Sequence, residues 1–161
     1  MSKIYVSTYA KYNQGNLTGQ WIDLENYTDL DSFLEACREL HADESDPEFM
    51  FQDFEGFPKA FYSESSLDER VFEYVNLDEH DRDMWEAYLE GVDSTADFDV
   101  ARDRFYGCFE SDTDLAYEYI ESTGLLSDVP ENLQRYFDYE AFGRDLTYDF
   151  YSHNGYYFNA Y

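Results

Sequence analysis

Residues 4 to 9, IYVSTY, are β-branched and aromatic and read as a strand. Asn13 to Gly19 is rich in turn formers, and QWIDL at 20 to 24 reads as a second strand. Thr28 has Asp31 three residues on, which resembles a capping box with Asp in place of Glu or Gln. Behind it Leu30, Phe33, Leu34, Cys37 and Leu40 recur at helical spacing, so a helix is expected to cover the sheet. Glu48 to Phe54 supplies a third strand, ended by Gly56 and Pro58.

After Tyr62 the pattern becomes helical. Ser66-x-x-Glu69 has the form of a capping box, and Leu67, Val71, Phe72 and Val75 make one stripe with Asp68, Glu69 and Glu73 off it. In the next helix Met84, Trp85, Tyr88, Leu89 and Val92 form the apolar face. Asp78, Glu79, Asp81, Asp83, Glu86 and Glu90 fill its first turn and solvent face, where acids near the N-terminus complement the helix dipole. A third helix is expected from Ser94 or Thr95, using Phe98 and Ala101 inward and carrying Asp97 and Asp99.

From Phe105 the run FYGCF is strand-like, and Asp112 or Thr113 is expected to cap a helix with Leu115, Ala116, Tyr119 and Ile120 inside and Gly124 at its end. Between Leu125 and Leu146 two short helices are expected. Asp128 would cap the first with Pro130 at its first position, and Asp138 the second, with Gly143 closing it in the left-handed conformation. Leu126, Leu133, Tyr136, Phe137, Tyr139 and Phe142 give this stretch more apolar area than it can hide alone, so it belongs in a small core or a subunit contact. Leu146–Ser152 and Tyr156–Tyr161 flank His153-Asn154-Gly155, a hairpin signal. The expected fold is α+β in three small domains: 1–61 with three strands and one helix, 62–104 acidic and helical, and 105–161 α+β with a terminal hairpin.

Composition changes this picture in one respect. The 161 residues include 37 acidic against 10 basic ones, a formal charge of -27. Such imbalance usually marks disorder, but 17 Tyr and 14 Phe supply large burial per residue and argue for a folded chain. Cys37 and Cys108 lack any metal or disulfide-framework spacing and are expected to be reduced and buried. No segment reads as a secretory leader or membrane span, so a cytoplasmic protein is expected.

The charge is uneven: the nets are -3 for 1–40, -16 for 41–100 and -8 for 101–161. Acids three or four residues apart on a helix stand close enough to destabilise it, so a chain that keeps them gains something from the field itself. A dense row of carboxylates has a close physical analogue in the DNA backbone, with one charge per ~1.7 Å of duplex axis. A generic solvated face or adaptation to high salt gives the same composition. An enzyme is not indicated. His41, His80 and His153 are scattered, there is no phosphate loop or nucleophile elbow, and no catalytic residue, metal ligand or cofactor site can be singled out. Asp112-Thr113-Asp114 opens like a calcium loop, but Tyr117 stands where its glycine belongs.

YVSTYAKYNQGNLTGQWIDL near the N-terminus, FQDFEGF at 51 to 57, and YEYIESTGLLSDVPENLQRYFDYEAFGRDL resemble the ArdA antirestriction family over about half the chain. The acidic middle is similar in character rather than in residues. The resemblance implies a DNA mimic from a mobile element or phage, acting on the DNA-binding groove of type I restriction-modification enzymes without binding nucleic acid. It also implies an elongated homodimer of three-domain chains, with the antirestriction motif falling on Leu125–Leu146. On this reading Asp68, Glu69, Glu73, Asp78, Glu79, Asp81, Asp83, Glu86, Glu90, Asp97 and Asp99 imitate phosphates. The competing expectation is an acidic adaptor for some other basic partner.

Overall fold

A computed structural model describes all residues, Met1–Tyr161. Helix and sheet are both present in quantity, which bears out the α+β class. The chain divides into two compact units, Met1–Arg82 and Asp83–Tyr161, and the three-domain arrangement is not confirmed.

In the first unit β1 (Lys3–Thr8) is the central strand, antiparallel to β2 (Gln20–Asp23) on one side and to β3 (Phe49–Glu55) on the other. Ile4 and Val6 alternate into the core and are fully buried. The pairing slips between Tyr5 and Val6, so Gln52 is an extra residue on β3; the bulge brings Phe51 and Phe54, opposite Val6 and Ile4, onto one face of the sheet. Thr8 ends β1 and caps α1 (Tyr9–Asn13) by accepting from the Lys11 N–H. The long amphipathic α2 (Leu30–Leu40) buries Phe33 and Cys37, and Phe33 meets Phe51 and Phe72. Short α3 (Arg70–Tyr74) adds Val71, Phe72 and Tyr74 to this core.

Helix α4 (Glu79–Gly91) contains the division between the units. In the second unit α5 (Phe98–Arg104) leads into β4 (Phe105–Cys108), followed by α6 (Asp112–Thr123), α7 (Glu131–Gln134) and α8 (Tyr139–Leu146). A hairpin of β5 (Phe150–His153) and β6 (Tyr156–Asn159) completes an antiparallel sheet of order β4-β6-β5. Leu115, Leu146, Phe150 and Tyr157 form a core ringed by Tyr106, Phe109, Tyr119 and Phe142. Trp85 is fully buried, donates through its indole N–H to the Ala96 carbonyl, and packs edge-on to Phe98.

Several local signals hold. Asn154 and Gly155 both adopt positive φ, as a tight hairpin turn demands, and Gly124 caps α6 at φ 66°. Asp138 caps α8 by accepting from the Ala141 N–H. Other expectations are corrected. The cap of α2 is Asp29, which accepts from the Ser32 N–H, and not Thr28. Ser66 and Glu69 form no capping box: the two hydroxyls of Ser63 and Ser66 meet in a turn, Leu67 bridges to Tyr62, and α3 starts only at Arg70. Ser111 caps α6, ahead of Asp112 and Thr113. The third helix of the middle begins at Phe98 rather than Ser94 or Thr95, because Asp93 draws the Thr95 N–H and hydroxyl into a turn. Pro130, not Asp128, precedes α7, and residues 146 to 149 finish a helix and a 3-10 turn where a strand was expected. Gly143 lies inside α8 and is buried. Cys37 is buried, with its thiol pushed up to about 12 by burial, but Cys108 is exposed.

Candidate functional site

Helix α4 organises the densest charge. Its N-terminus is fixed by Asp78, whose carboxylate accepts from the Asp81 N–H at 2.9 Å. Met84, Trp85, Ala87, Tyr88 and Leu89 are buried on one side. Glu79, Asp83, Glu86 and Glu90 follow at intervals of four, three and four residues, so they line one face. At ~1.5 Å per residue the stripe is about 16 Å long. Glu79, Asp83 and Glu90 are exposed and Glu86 is half-buried. Asp83, Glu86 and Glu90 converge on a groove of about 250 Å³ that Asn154 and Tyr156 complete. His153 Nε2 lies 3.0 Å from the Glu90 carboxylate.

The remaining expected phosphate positions divide by their partners. Glu69 and Glu73 flank and occupy α3 and are exposed. Asp97 stands at the start of α5 without a side-chain capping bond. Asp99 pairs with Arg102 at 2.8 Å, and Asp68 with Arg70 at 2.8 Å. Burial alone would raise the Asp68 carboxyl, but the Arg70 hydrogen bonds and charge outweigh it and hold it below the usual range. Asp68 therefore offers a partner a largely neutralised charge.

Two acidic stripes escaped the sequence reading. Asp114, Glu118 and Glu121 on α6 repeat the four-and-three spacing, and Asp31, Glu35 and Glu39 on α2 recur every four residues; all six are exposed. The signal that could have found them is spacing within each helix, which the net charge of the middle segment overshadows.

The apolar residues of Leu125–Leu146 separate into two groups. Phe142 packs on the core against Tyr119, and Phe137 touches Phe142. Tyr139 stacks on Tyr117 with centroids 4.0 Å apart. Leu126 is half-buried, and Gln134 holds the Leu126 and Val129 carbonyls at 2.9 Å each. Leu133 and Tyr136 remain exposed, at 51% and 71%, as does Leu125.

His41, Asp43 and Glu44 bring possible metal-ligand atoms within 4.8 Å of one another. The Lys11 ammonium occupies this cluster, 2.8 Å from His41 Nδ1, 2.9 Å from Asp43 and 3.6 Å from Glu44. An ammonium can only donate, so Nδ1 accepts and His41 is assigned as the neutral tautomer protonated on Nε2. Nε2 makes no hydrogen bond of good geometry. Burial, then the Lys11 charge, draws the imidazole below its ordinary 6.5; the Val6 backbone, Glu44 and Asp43 pull upward without prevailing.

The sign of the pH dependence follows. The unfolded chain binds the proton first as pH falls through about 6.5, so the stability held by neutral His41 is present above that pH and lost below it. The wild type is expected to melt at lower temperature at pH 5.5 than at pH 7.5 in about 0.5 M salt, which screens surface repulsion. His41→Gln keeps an acceptor for Lys11 but cannot titrate, and should flatten that difference. An equal pH response in thermal melts of both proteins would remove His41 as the cause.

Fold and surface together define a small acidic α+β protein whose most developed feature is a set of carboxylate-lined helix faces. The family model of antirestriction protein (ArdA) matches residues 4–158, and the chain belongs to that family. No curated protein matches it. No helix is long and apolar enough to cross a membrane.

Proposed function

We propose that this protein inhibits type I restriction-modification enzymes by occupying their basic DNA-binding groove in place of DNA, and so protects incoming mobile DNA. The observation that carries the reading is the α4 stripe, with one carboxylate about every 5 Å of helix axis. A single DNA strand presents one phosphate per ~3.4 Å of axis, and flexible lysines and arginines aligned for the latter can reach the former. Membership of the antirestriction family supports the choice of partner. The inhibitor works without catalysis, cofactor or nucleic acid of its own, in the cytoplasm.

The test has two arms. Cells making the protein should lose type I restriction of unmodified phage, and the purified protein should displace DNA from the enzyme at a rate and affinity that fall with salt. Binding that DNA does not compete would replace the mimic by an acidic adaptor for another basic surface.

The inhibitor acts as a homodimer through the surface left open by Leu133 and Tyr136, which extends the acidic track across two copies. Leu133→Ala with Tyr136→Ala is expected to raise the dimer dissociation constant at least tenfold in light scattering or sedimentation, because exposed aromatic anchors dominate such contacts. A wild-type monomer at micromolar concentration would refute dimerisation, and an unchanged double variant would move the contact elsewhere.

A further inference from the structure

We infer that the groove between β2 and α2 binds an extended basic peptide segment of a protein partner, added as a strand to the free edge of β2. This site lies wholly in the first unit and stands independently of the antirestriction reading.

The sheet order leaves β2 paired with β1 alone. The other edge is partly closed: the Phe51 N–H on β3 donates to the Glu64 carbonyl at 2.7 Å, and the Tyr62 hydroxyl to the Phe51 carbonyl at 2.6 Å. Open strand edges recruit other chains, and proteins usually blunt them with lysine or proline. Gln20–Asp23 contains neither. Beside this edge α2 forms the second wall of a groove of about 540 Å³. A helix next to an open edge is the arrangement in which a peptide can pair through its backbone while alternate side chains enter a pocket.

The lining selects the occupant. Trp21, Tyr27, Ala36 and Leu40 give it apolar and aromatic surface, Asp23 and Glu39 give it negative charge, and no Lys or Arg lines it. The Trp21 ring already carries a cation, with the Lys3 ammonium 4.8 Å from its centroid. A second copy of this acidic chain would be repelled from such an edge. A peptide with Arg or Lys at every second position places those cations on one side of the added strand, beside Asp23 on the sheet face opposite buried Ile22, while the intervening side chains face the α2 wall of Ala36 and Leu40, where Glu39 adds its charge.

The probe is the acetylated, amidated hexapeptide Thr-Arg-Val-Arg-Val-Thr, with a control of equal charge, Thr-Arg-Pro-Pro-Arg-Thr, whose adjacent prolines remove a donor from whichever side of the peptide would pair. Titration of the full chain in about 150 mM salt, which weakens diffuse charge attraction, is followed by amide NMR and by the fluorescence of half-exposed Trp21; Trp85 is buried. Saturable binding is expected, with slowed exchange of outer β2 amides and at least tenfold weaker binding of the proline control. Asp23→Asn with Glu39→Gln should also weaken it at least tenfold; the carboxamide oxygen that replaces the Asp23 carboxylate can still accept the Glu25 N–H, so the local turn survives. Equal affinity for the proline control, shifts centred on α4 or α6, or an unaffected double variant would each overturn the proposal.

Discussion

Neutralising Glu79, Asp83, Glu86 and Glu90 together, as Gln or Asn, is expected to weaken competition with DNA by about thirty- to a hundredfold, while each single change costs less than tenfold. An exposed ion pair contributes about 0–1 kcal/mol and a tenfold change needs ~1.4 kcal/mol, so one lost carboxylate falls below that threshold and four exceed it. The four share one face of α4, so their fields add at the same partner surface, and much of the loss should appear as a slower on-rate. Glu79→Gln, being exposed at the helix start, should leave folding intact. The measurement is displacement of labelled DNA from a type I enzyme by single, double and quadruple variants at two salt concentrations. Abolition of competition by one single change would mean a hot-spot contact, where a truncation costs above ~2 kcal/mol, and would sink the distributed mimic.

The same logic orders the other acids. Asp68 and Asp99 already face arginines at 2.8 Å, so their neutralisation should matter less than that of Asp83 or Glu90. Asp114, Glu118 and Glu121 form a stripe on α6 as regular as that of α4. Their triple neutralisation tests whether the partner reads more than one helix.

What could be read from the sequence was decided by distance along the chain and by how many neighbouring residues compete for one role. The Asn154-Gly155 turn, the Gly124 cap and the Asp138 cap depend on residues within a few positions, and all are present as expected. The α2 cap moved by one residue because Thr28 and Asp29 are both competent, and the carboxylate reached the Ser32 N–H. The Ser66 capping box failed because Leu67 and Tyr62 form a bridge that holds the segment extended until Arg70. Pairings across 30 or more residues were out of reach. Lys11 with His41 and Tyr157 with Asp112 are such cases, and composition alone could not tell a neutralised acid from an open one. That the surface is densely acidic was therefore legible, whereas which carboxylates stay open to a partner was not.

Gly143 shows the gap most sharply, and its replacement is the stability change with the largest expected effect. Inside a helix Ala normally gains about 1 kcal/mol over Gly. Here a Cβ at 143 would collide with the Asp112 carbonyl and stand 3.2 Å from the Thr113 nitrogen, all backbone atoms in the first turn of α6. They cannot rotate aside as a flexible side chain would. Moving that turn would also strain the 2.7 Å hydrogen bond from the Tyr157 hydroxyl to Asp112, where burial first, and then the carboxylate, raise the phenol above its ordinary value. Overpacking of a close contact costs ~1–3 kcal/mol, and because backbone must yield the upper part of that range applies and exceeds the propensity gain. Gly143→Ala is thus expected to lower the melting temperature of the second unit by roughly 5–10 °C. Asparagine separates this account from the terminal-glycine reading of the sequence. A left-handed cap is usually Gly and sometimes Asn, so Gly143→Asn would then be milder than Gly143→Ala. Against the α6 backbone the larger side chain should be worse than Ala, and a melting order of Gly, then Asn, then Ala would show that α6 and α8 do not meet at this residue.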